Sequence, residues 1–358
     1  MNRQRIFYRL NRILKEEELD VLLITRLADV WYLTGFRGSE GVVIYGSKFR
    51  YFLSDARYKE QAKEEVKGFS VKIFKNKVKE ITHLLKRIGA QKIGFDPAGI
   101  SYQFYKELRK NLKGVRFYSL PSLIAELRAV KEPEELKKIQ QAVRIAEKAL
   151  SFALEKFKLG MKELDLASEL EYQLRRAGSG WFPFETIVAS GARACLPHAK
   201  ASNKKIKAHE LVVIDFGASV DGYFCDLTVT ISAGEPTRLA KEIYQIVSNA
   251  QTLAINSIQP EKPAKEVDAV ARDYIKSKGY GKFFQHGLGH GLGLEVHELP
   301  SINPKSNYLL KSGMVFTIEP GIYIPEKKLG VRIEDDVVIW DNKTKTLSHS
   351  NQPLRVLE

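Results

Sequence analysis

Short apolar runs alternate with amphipathic stretches through the first 120 or so positions of the chain. Residues 2–17 predict an opening helix. Strand-like runs follow at 21–25, 30–34, 41–45, 50–54, 71–75, 92–95 and 115–119. Helical stretches lie between them near 57–66, 77–89 and 101–112. Such alternation predicts a layered α/β domain. That domain holds no cluster of acids or histidines, and His83 stands alone in a helical stretch. Pro121 and Pro133 bracket a change of pattern, which puts a domain boundary near 125, with domains at 1–125 and 126–358.

Beyond the boundary the chain repeats itself. A helical segment opening at Glu132-Pro133 has a counterpart opening at Glu235-Pro236, 103 positions on. KELD at 162–165 matches KEVD at 265–268, and the second helix of each half ends in glycine, Gly178 or Gly279. Strands follow each helix pair: VVIDFG (212–217) aligns with FTIEPG (316–321), which sets Asp215 opposite Glu319. A return strand then brings Asp226 in one half and Glu334 in the other. Asp221-Gly222 predicts a hairpin turn in the first half, and a longer loop serves the second. His198 falls opposite His297. Two copies at a period near 100 predict an internal duplication with a pseudo-twofold axis. The fold class is therefore α/β (α+β), with a second, pseudo-twofold domain.

Composition narrows the class. At 358 residues, 44% hydrophobic and 28% charged, the chain is expected to form two soluble domains. No apolar run approaches the roughly 20 residues of a membrane span, and MNRQRIFYRLNRILKEEE is too charged for a secretory signal. A cytoplasmic location and no membrane partner are expected. The net charge of +14 comes from Lys and Arg mixed with Glu along helix faces, so nucleic acid is not expected as a partner. Two isolated cysteines, Cys195 and Cys225, fit neither a disulfide framework nor a thiolate metal site.

Chemistry concentrates in the repeated half. Asp215, Asp226, His290, Glu319 and Glu334 each sit in an apolar or Gly-rich segment, where an unpaired charge would be costly. Four acids and one imidazole converging on one cleft would be partnered by divalent metal. This oxygen-dominated set suits Mn²⁺, Co²⁺ or Fe²⁺ better than a thiolate zinc site. HGLGHGLGLEVHE (286–298) crowds His286, His290 and His297 among four glycines that let backbones approach closely. The run matches neither GxGxxG in a strand–helix frame nor HExxH, and no kinase catalytic loop accompanies the DFG at 215–217.

These motifs (ASG…LPH at 189–198, VVIDFG, GHGLGLEVHE, TIEPGIY and GVRIED) are similar to those of the Xaa-Pro peptidases, prolidase and aminopeptidase P, of the pita-bread metallopeptidase family. The resemblance covers essentially the whole chain. It implies a creatinase-like N-terminal domain before a pita-bread catalytic domain, a homodimer, and two divalent metals. Manganese is expected first, with Co²⁺, Fe²⁺ or Zn²⁺ as alternatives. It further implies that Asp215 chelates the first metal, that Asp226 and Glu334 bridge both, and that His290 and Glu319 hold the second. Glu319 would also act as general base for a metal-bridging hydroxide that cleaves Xaa-Pro dipeptides. His198 and His297 match substrate-contacting histidines that steady the tetrahedral intermediate, Phe184 matches a position lining the proline pocket, and Arg332 resembles an arginine supporting the metal ligands. The role of His286 stays open between supporting the ligands and supporting the fold.

One departure stands out. Many prolidases resembling this chain carry an arginine after the HExP segment, suited to a dipeptide's carboxylate, and here HELPSI places Ser301 there. Longer peptides with proline second, the aminopeptidase P activity, are the alternative. Metal-free creatinase-type hydrolysis and an inactive binding module conflict with the intact ligand set. A methionine aminopeptidase conflicts with the N-terminal domain.

Overall fold

The structure is a computed structural model that describes residues 3–358. The chain divides into two compact units, one ending at Arg128 and the other spanning Ala129–Glu358. Each is described by itself.

The first unit opens with helix α1 (Arg3–Glu16); the expected start at Asn2 lies outside the described residues. There follow β1 (Val21–Ile24), α2 (Leu27–Thr34), β2 (Val42–Gly46), β3 (Phe49–Asp55), α3 (Lys59–Glu65), β4 (Ser70–Phe74), α4 (Lys77–Arg87), β5 (Lys92–Phe95), α5 (Tyr102–Asn111), β6 (Arg116–Ser119) and the short α6 (Ala125–Ala129). The strands form one mixed sheet in the order β4-β3-β2-β1-β5-β6. One face buries Val21, Leu23, Val42 and Ile44 with Ile81, Leu84 and Leu85 of α4 and Leu108 of α5. Tyr45 reaches α1 by donating its hydroxyl to Asn11 Oδ1 at 2.9 Å. Both faces are thus covered, as strands this apolar require. His83 is exposed on α4.

One expected strand is a helix. Residues 30–34 belong to α2, whose buried side chains include Val30, Tyr32, Leu33 and Thr34 and which stops at Gly35 with φ 89°. A short apolar run fits a buried helix as well as a strand, and periodicity alone cannot separate them. The left-handed glycine that closes the helix is the local signal for it.

The second unit contains the duplication. Its first half runs α7 (Pro133–Glu155), α8 (Glu163–Arg176), β7 (Ile187–Ser190), β8 (Glu210–Phe216), β9 (Ser219–Val220), β10 (Tyr223–Phe224) and β11 (Leu227–Ala233). Its second half runs α9 (Arg238–Ser257), α10 (Ala264–Ser277), β12 (Gly289–Gly291), β13 (Glu298–Ile302), β14 (Val315–Ile318), β15 (Gly321–Ile324), β16 (Leu329–Arg332) and β17 (Asp335–Trp340), before β18 (Lys343–Thr346) and β19 (Val356–Leu357). The sheets are β19-β11-β8-β7 and β13-β12-β14-β17-β18, so β7-β8-β11 corresponds to β12-β14-β17. The β9–β10 hairpin turns at Asp221 and Gly222, φ 49° and 78°, the double positive-φ turn that Asp-Gly favours. Gly178 and Gly279, φ 100° and 87°, follow α8 and α10.

Each half packs its helix pair against its own sheet. Ala142, Ala146, Ala149 and Ala153 of α7 form a small-residue stripe that meets Leu166, Leu170 and Leu174 of α8 over Val212 and Ile214 of β8. Ile243, Val247, Ala250 and Ala254 of α9 pack with Val267, Ala271 and Ile275 of α10 over Phe316 and Ile318 of β14. The halves are stitched together at their centre. Thr228 and Glu334 form an antiparallel bridge, and Thr230 Oγ1 donates to Arg332 O at 2.8 Å. Among the described residues no helix is long and apolar enough to cross a membrane.

Candidate active site

Every acid in the candidate set sits at the end of a buried strand. Leu211–Ile214 of β8 are buried, and Asp215 follows them. Asp226 directly precedes β11, Glu319 directly follows β14, and Glu334 lies between β16 and β17. Backbone bonds fix the second pair: Glu319 N–H donates to Leu288 O at 2.8 Å, and Glu334 N–H donates to Thr228 O at 3.0 Å. Sheet geometry delivers these side chains to one place because both β8 and β14 are flanked on both sides.

His290 joins them from β12. Its backbone N–H donates to Thr317 Oγ1, and its Nδ1 lies 3.2 Å from Gly291 O. A carbonyl can only accept, so Nδ1 carries the proton and Nε2 presents its lone pair. That Nε2 lies 3.7 Å from Asp226 Oδ2 and 3.5 Å from Glu319 Oε1. One ligand atom each from Asp226, His290 and Glu334 lie within 4.8 Å of one another. The close backbone approach around His290 needs glycine: a Cβ on Gly289 would sit 1.9 Å from Thr317 O, and one on Gly291 would sit 2.1 Å from Leu299 O.

Register explains why the imidazole appears once. Ser190 pairs with Val212 as Gly291 pairs with Phe316, so Ala189 holds the place in the first half that His290 holds in the second. A buried methyl there donates nothing to the cleft.

Arg332 is the permanent cation facing the four acids. Its Nη2 lies 2.5 Å from Asp215 Oδ2, its Nε donates to Thr228 Oγ1, and its Nη1 donates to Tyr323 Oη and to Pro197 O. Thr228 Oγ1 in turn donates a hydrogen bond to Glu334 Oε2 at 2.6 Å. One guanidinium cannot balance four carboxylates. Burial pushes all four above the ordinary carboxylate range, and Asp226 and Glu334 are raised further by the neighbouring acids. Glu319 is pushed up to about 8, with burial the main cause. Burial also pushes His290 down to about 4, with His297 adding to it, so the ring is a neutral donor. Asp215 Oδ1 and Asp226 Oδ1 are buried with no hydrogen-bond partner. Orphaned carboxylate oxygens, excess negative charge and an exposed imidazole lone pair fit divalent cations held by Asp215, Asp226, His290, Glu319 and Glu334.

The remaining candidates line the same cavity of about 520 Å³: Phe184, His198, His286 and His297, together with Ser301. The rings of His290 and His297 are 4.1 Å apart. His198 comes from the loop after β7. Buried Glu163 ties down that loop by accepting from Ser190 N, Ser190 Oγ, Arg193 Nε and Ser202 Oγ. His286 Nε2 lies 3.1 Å from Tyr323 Oη, and its Nδ1 lies 2.8 Å from Gly287 O. Burial pushes it down to about 4. It therefore supports Tyr323, which in turn meets Arg332.

Sequence reasoning missed three supporting groups. Thr228 and Tyr323 read as ordinary strand residues. Gln251 carried a signal: it is a polar residue on the apolar face of α9, and it is completely buried. Its Nε2 donates to Ile318 O at 3.0 Å and Ile333 O at 3.3 Å. Those carbonyls immediately precede Glu319 and Glu334, so one amide clamps both acid-bearing segments.

The comparisons with known proteins agree with this geometry. Residues 137–341 match the model of metallopeptidase family M24, and residues 7–130 match the creatinase/prolidase N-terminal domain. The chain belongs to metallopeptidase family M24. This M24 chain is 40% identical over 341 residues to a protein of Pyrococcus horikoshii called Xaa-Pro dipeptidase, covering 95% of each. Two solved structures superpose closely on it. One, an Xaa-Pro dipeptidase from Bacillus anthracis, has TM-score 0.95 and 37% identity, over 99% of this chain and 100% of that one. The other, an X-Pro aminopeptidase from Thermotoga maritima, has TM-score 0.91 and 35% identity, over 98% and 99%. The M24 fold thus carries a creatinase-type N-terminal unit and a metal-dependent peptidase unit.

Two predictions follow from the site's electrostatics and its clamp. The acids' pKa values are raised on folding, so the metal-stripped protein keeps their contribution below the ordinary carboxylate range near 4 and loses it as pH rises through about 8. Its melting temperature should therefore fall between pH 5 and 8, and manganese should flatten that dependence; equal slopes with and without metal would contradict the charge imbalance. Gln251→Leu removes both hydrogen bonds to these buried carbonyls, a loss on the order of 1–3 kcal/mol. Calorimetric titration of the stripped variant should show manganese affinity reduced roughly tenfold, and an unchanged affinity would remove the clamp's link to the ligands.

Proposed function

We propose that this protein hydrolyses the Xaa-Pro bond of dipeptides, using two divalent cations held by Asp215, Asp226, His290, Glu319 and Glu334. Manganese is the cation the oxygen-rich set favours, ahead of Co²⁺, Fe²⁺ or Zn²⁺. The carrying observation is the overlap of two things in one cavity: an undercompensated carboxylate cluster and the histidines His198 and His297. The similarity to proteins called Xaa-Pro dipeptidase supports the substrate class.

When bound, the cations supply Lewis-acid chemistry suited to amide hydrolysis. The protein's own groups then have distinct work. Glu319, which lines the cavity beside His290, is placed to take a proton from the attacking water and pass it to the departing proline nitrogen. That nitrogen needs the proton because an unprotonated amine anion is too basic to leave. Burial lowers His297's pKa, which keeps the ring neutral and able to donate to the oxygen that gains charge at the scissile carbonyl. His198 shares that role from its tethered loop. Phe184 offers an apolar wall to the proline ring. Arg332 holds Asp215 and the Pro197 carbonyl beside His198, tying a cation ligand to a substrate contact.

The two free, buried cysteines support a reducing compartment, in keeping with a cytoplasmic enzyme, and a homodimer is the assembly that the family resemblance implies. A second reading, cleavage of longer peptides with proline second, is favoured by the likeness to the Thermotoga X-Pro aminopeptidase and by the neutral Ser301 in the cavity.

Purified protein with manganese is expected to cleave Ala-Pro and related dipeptides and to stop when the metal is chelated. Glu319→Gln should lower kcat by about 10²- to 10⁴-fold, with bound metal measured in parallel. No cleavage across dipeptides and Xaa-Pro-Yaa tripeptides, with two metals bound per chain, would refute the proposal.

A further inference from the structure

A dipeptide differs from the start of a longer peptide by one group, the free α-carboxylate on its proline. A site that prefers dipeptides needs a cation within reach of that group. Two permanently charged side chains are among those lining the cavity, Lys200 and Arg332. Arg332 is engaged on every side by Asp215, Thr228, Tyr323 and Pro197 O, and it is 3% exposed. Of the histidines in the lining, His290 belongs to the proposed cation set, His286 is engaged by Tyr323 Oη and Gly287 O, and His198 and His297 are assigned to the scissile carbonyl. Lys200 remains.

Its placement is that of an anchored base with a movable tip. Lys200 stands two residues after His198. Its backbone carbonyl accepts from Arg193 Nη2, and buried Glu163 holds the same guanidinium through Arg193 Nε at 2.8 Å. The Nζ reaches Glu185 Oε2 at 2.5 Å, but the two side chains are 74% and 58% exposed. An exposed pair contributes little and is readily exchanged for a better acceptor. Glu185 follows Phe184, the proposed proline wall, and lines the same cavity. The lysine's partner therefore stands beside the place where a proline carboxylate would arrive. The nearby neutral donors are partly committed: Asn303 Nδ2 donates to Ser301 Oγ at 2.7 Å, and Asn303 Oδ1 accepts from Lys305 N.

We propose that Lys200 reads the free α-carboxylate of the substrate, and that Glu185 is the competing anion that parks the ammonium when no dipeptide is bound. The proposal rests on the Xaa-Pro reading and deepens it. Substrate recognition is an exchange of partners: the ammonium leaves the Glu185 carboxylate for the proline carboxylate. A peptide extended beyond proline, or a proline amide, gains nothing from that exchange. Lysine, a point charge on a flexible stem, suits this exchange better than a rigid bidentate fork.

The test uses the metal-loaded enzyme and three substrates, Ala-Pro, Ala-Pro-NH₂ and Ala-Pro-Gly. For Lys200→Met, the ratio of kcat/KM for Ala-Pro to that for Ala-Pro-NH₂ should fall about tenfold, chiefly through KM for Ala-Pro. Lys200→Arg should restore most of the ratio. Glu185→Gln should lower KM for Ala-Pro severalfold by removing the competitor. Rising salt should erode the preference in the wild type and leave the Lys200→Met ratio flat. An unchanged ratio in Lys200→Met overturns the proposal alone, and a loss in Ser301→Ala or Asn303→Ala instead assigns the carboxylate to that pair. Failure of the wild type to cleave any of the three substrates overturns the Xaa-Pro reading and this proposal with it.

Discussion

Four carboxylates gathered around a single guanidinium set the terms for the second unit. Burying an unpaired carboxylate is costly, and burying several side by side adds mutual repulsion. Two other buried acids of the same unit offset more of this cost with hydrogen bonds. Glu163 accepts four hydrogen bonds, and Asp335 accepts from Ser348 Oγ, Ser350 N and Asn351 N. Asp215 and Asp226 instead each keep a buried oxygen without a partner. Asp336 Oδ1 shares that condition, but Asp215 and Asp226 differ from it in lining a cavity together with Glu319, Glu334 and His290.

The same constraint explains the stitching between the halves. Ligands from two strand pairs can share a cleft only if the pairs are held in register. Arg332, Thr228 and Thr230 do this with bonds that cross from one half to the other and end on Asp215 or Glu334 or beside them. Gln251 acts within the second half, holding the carbonyls before Glu319 and Glu334 to one amide. Breaking a crossing bond is expected to loosen the ligands as well as the fold. Stability and metal affinity are thus two readings of one network.

What the chain disclosed in advance follows from these physics. The convergence of Asp215, Asp226, His290, Glu319 and Glu334 on one cavity was legible because charge in an apolar setting is rare and because the repeat aligned Asp215 with Glu319. The Asp221-Gly222 turn and the glycines after α8 and α10 were legible because positive φ selects a few residue types. Val30–Thr34 was not: five residues are too few for period to separate a buried helix from a strand, and the deciding signal was the glycine after it. Thr228 and Tyr323 were hidden because a hydroxyl on a strand looks alike whether it faces water or a guanidinium. Gln251 was visible in principle, as a polar side chain within the apolar stripe of α9.

Duplication supplies the carboxylates in pairs, but the cleft is not symmetric. Ala189 occupies the place that corresponds to His290, so an imidazole reaches the cleft from the second half and a methyl faces it from the first. Two cations in such a cleft would sit in unlike fields, one with a neutral nitrogen donor and one nearer the Asp215–Arg332 pair. The other groups lining the cavity are unlike in the two halves as well. His297 and Ser301 come from the Gly-rich half, while Phe184, His198 and Lys200 come from the half with the tethered loop. A peptide bond has unlike sides, an acyl group to be attacked and an amine to be released. A pseudo-twofold scaffold can serve it only after such divergence. The broken symmetry at Ala189 and His290 is therefore the step that turns a paired-carboxylate cleft into a directional site.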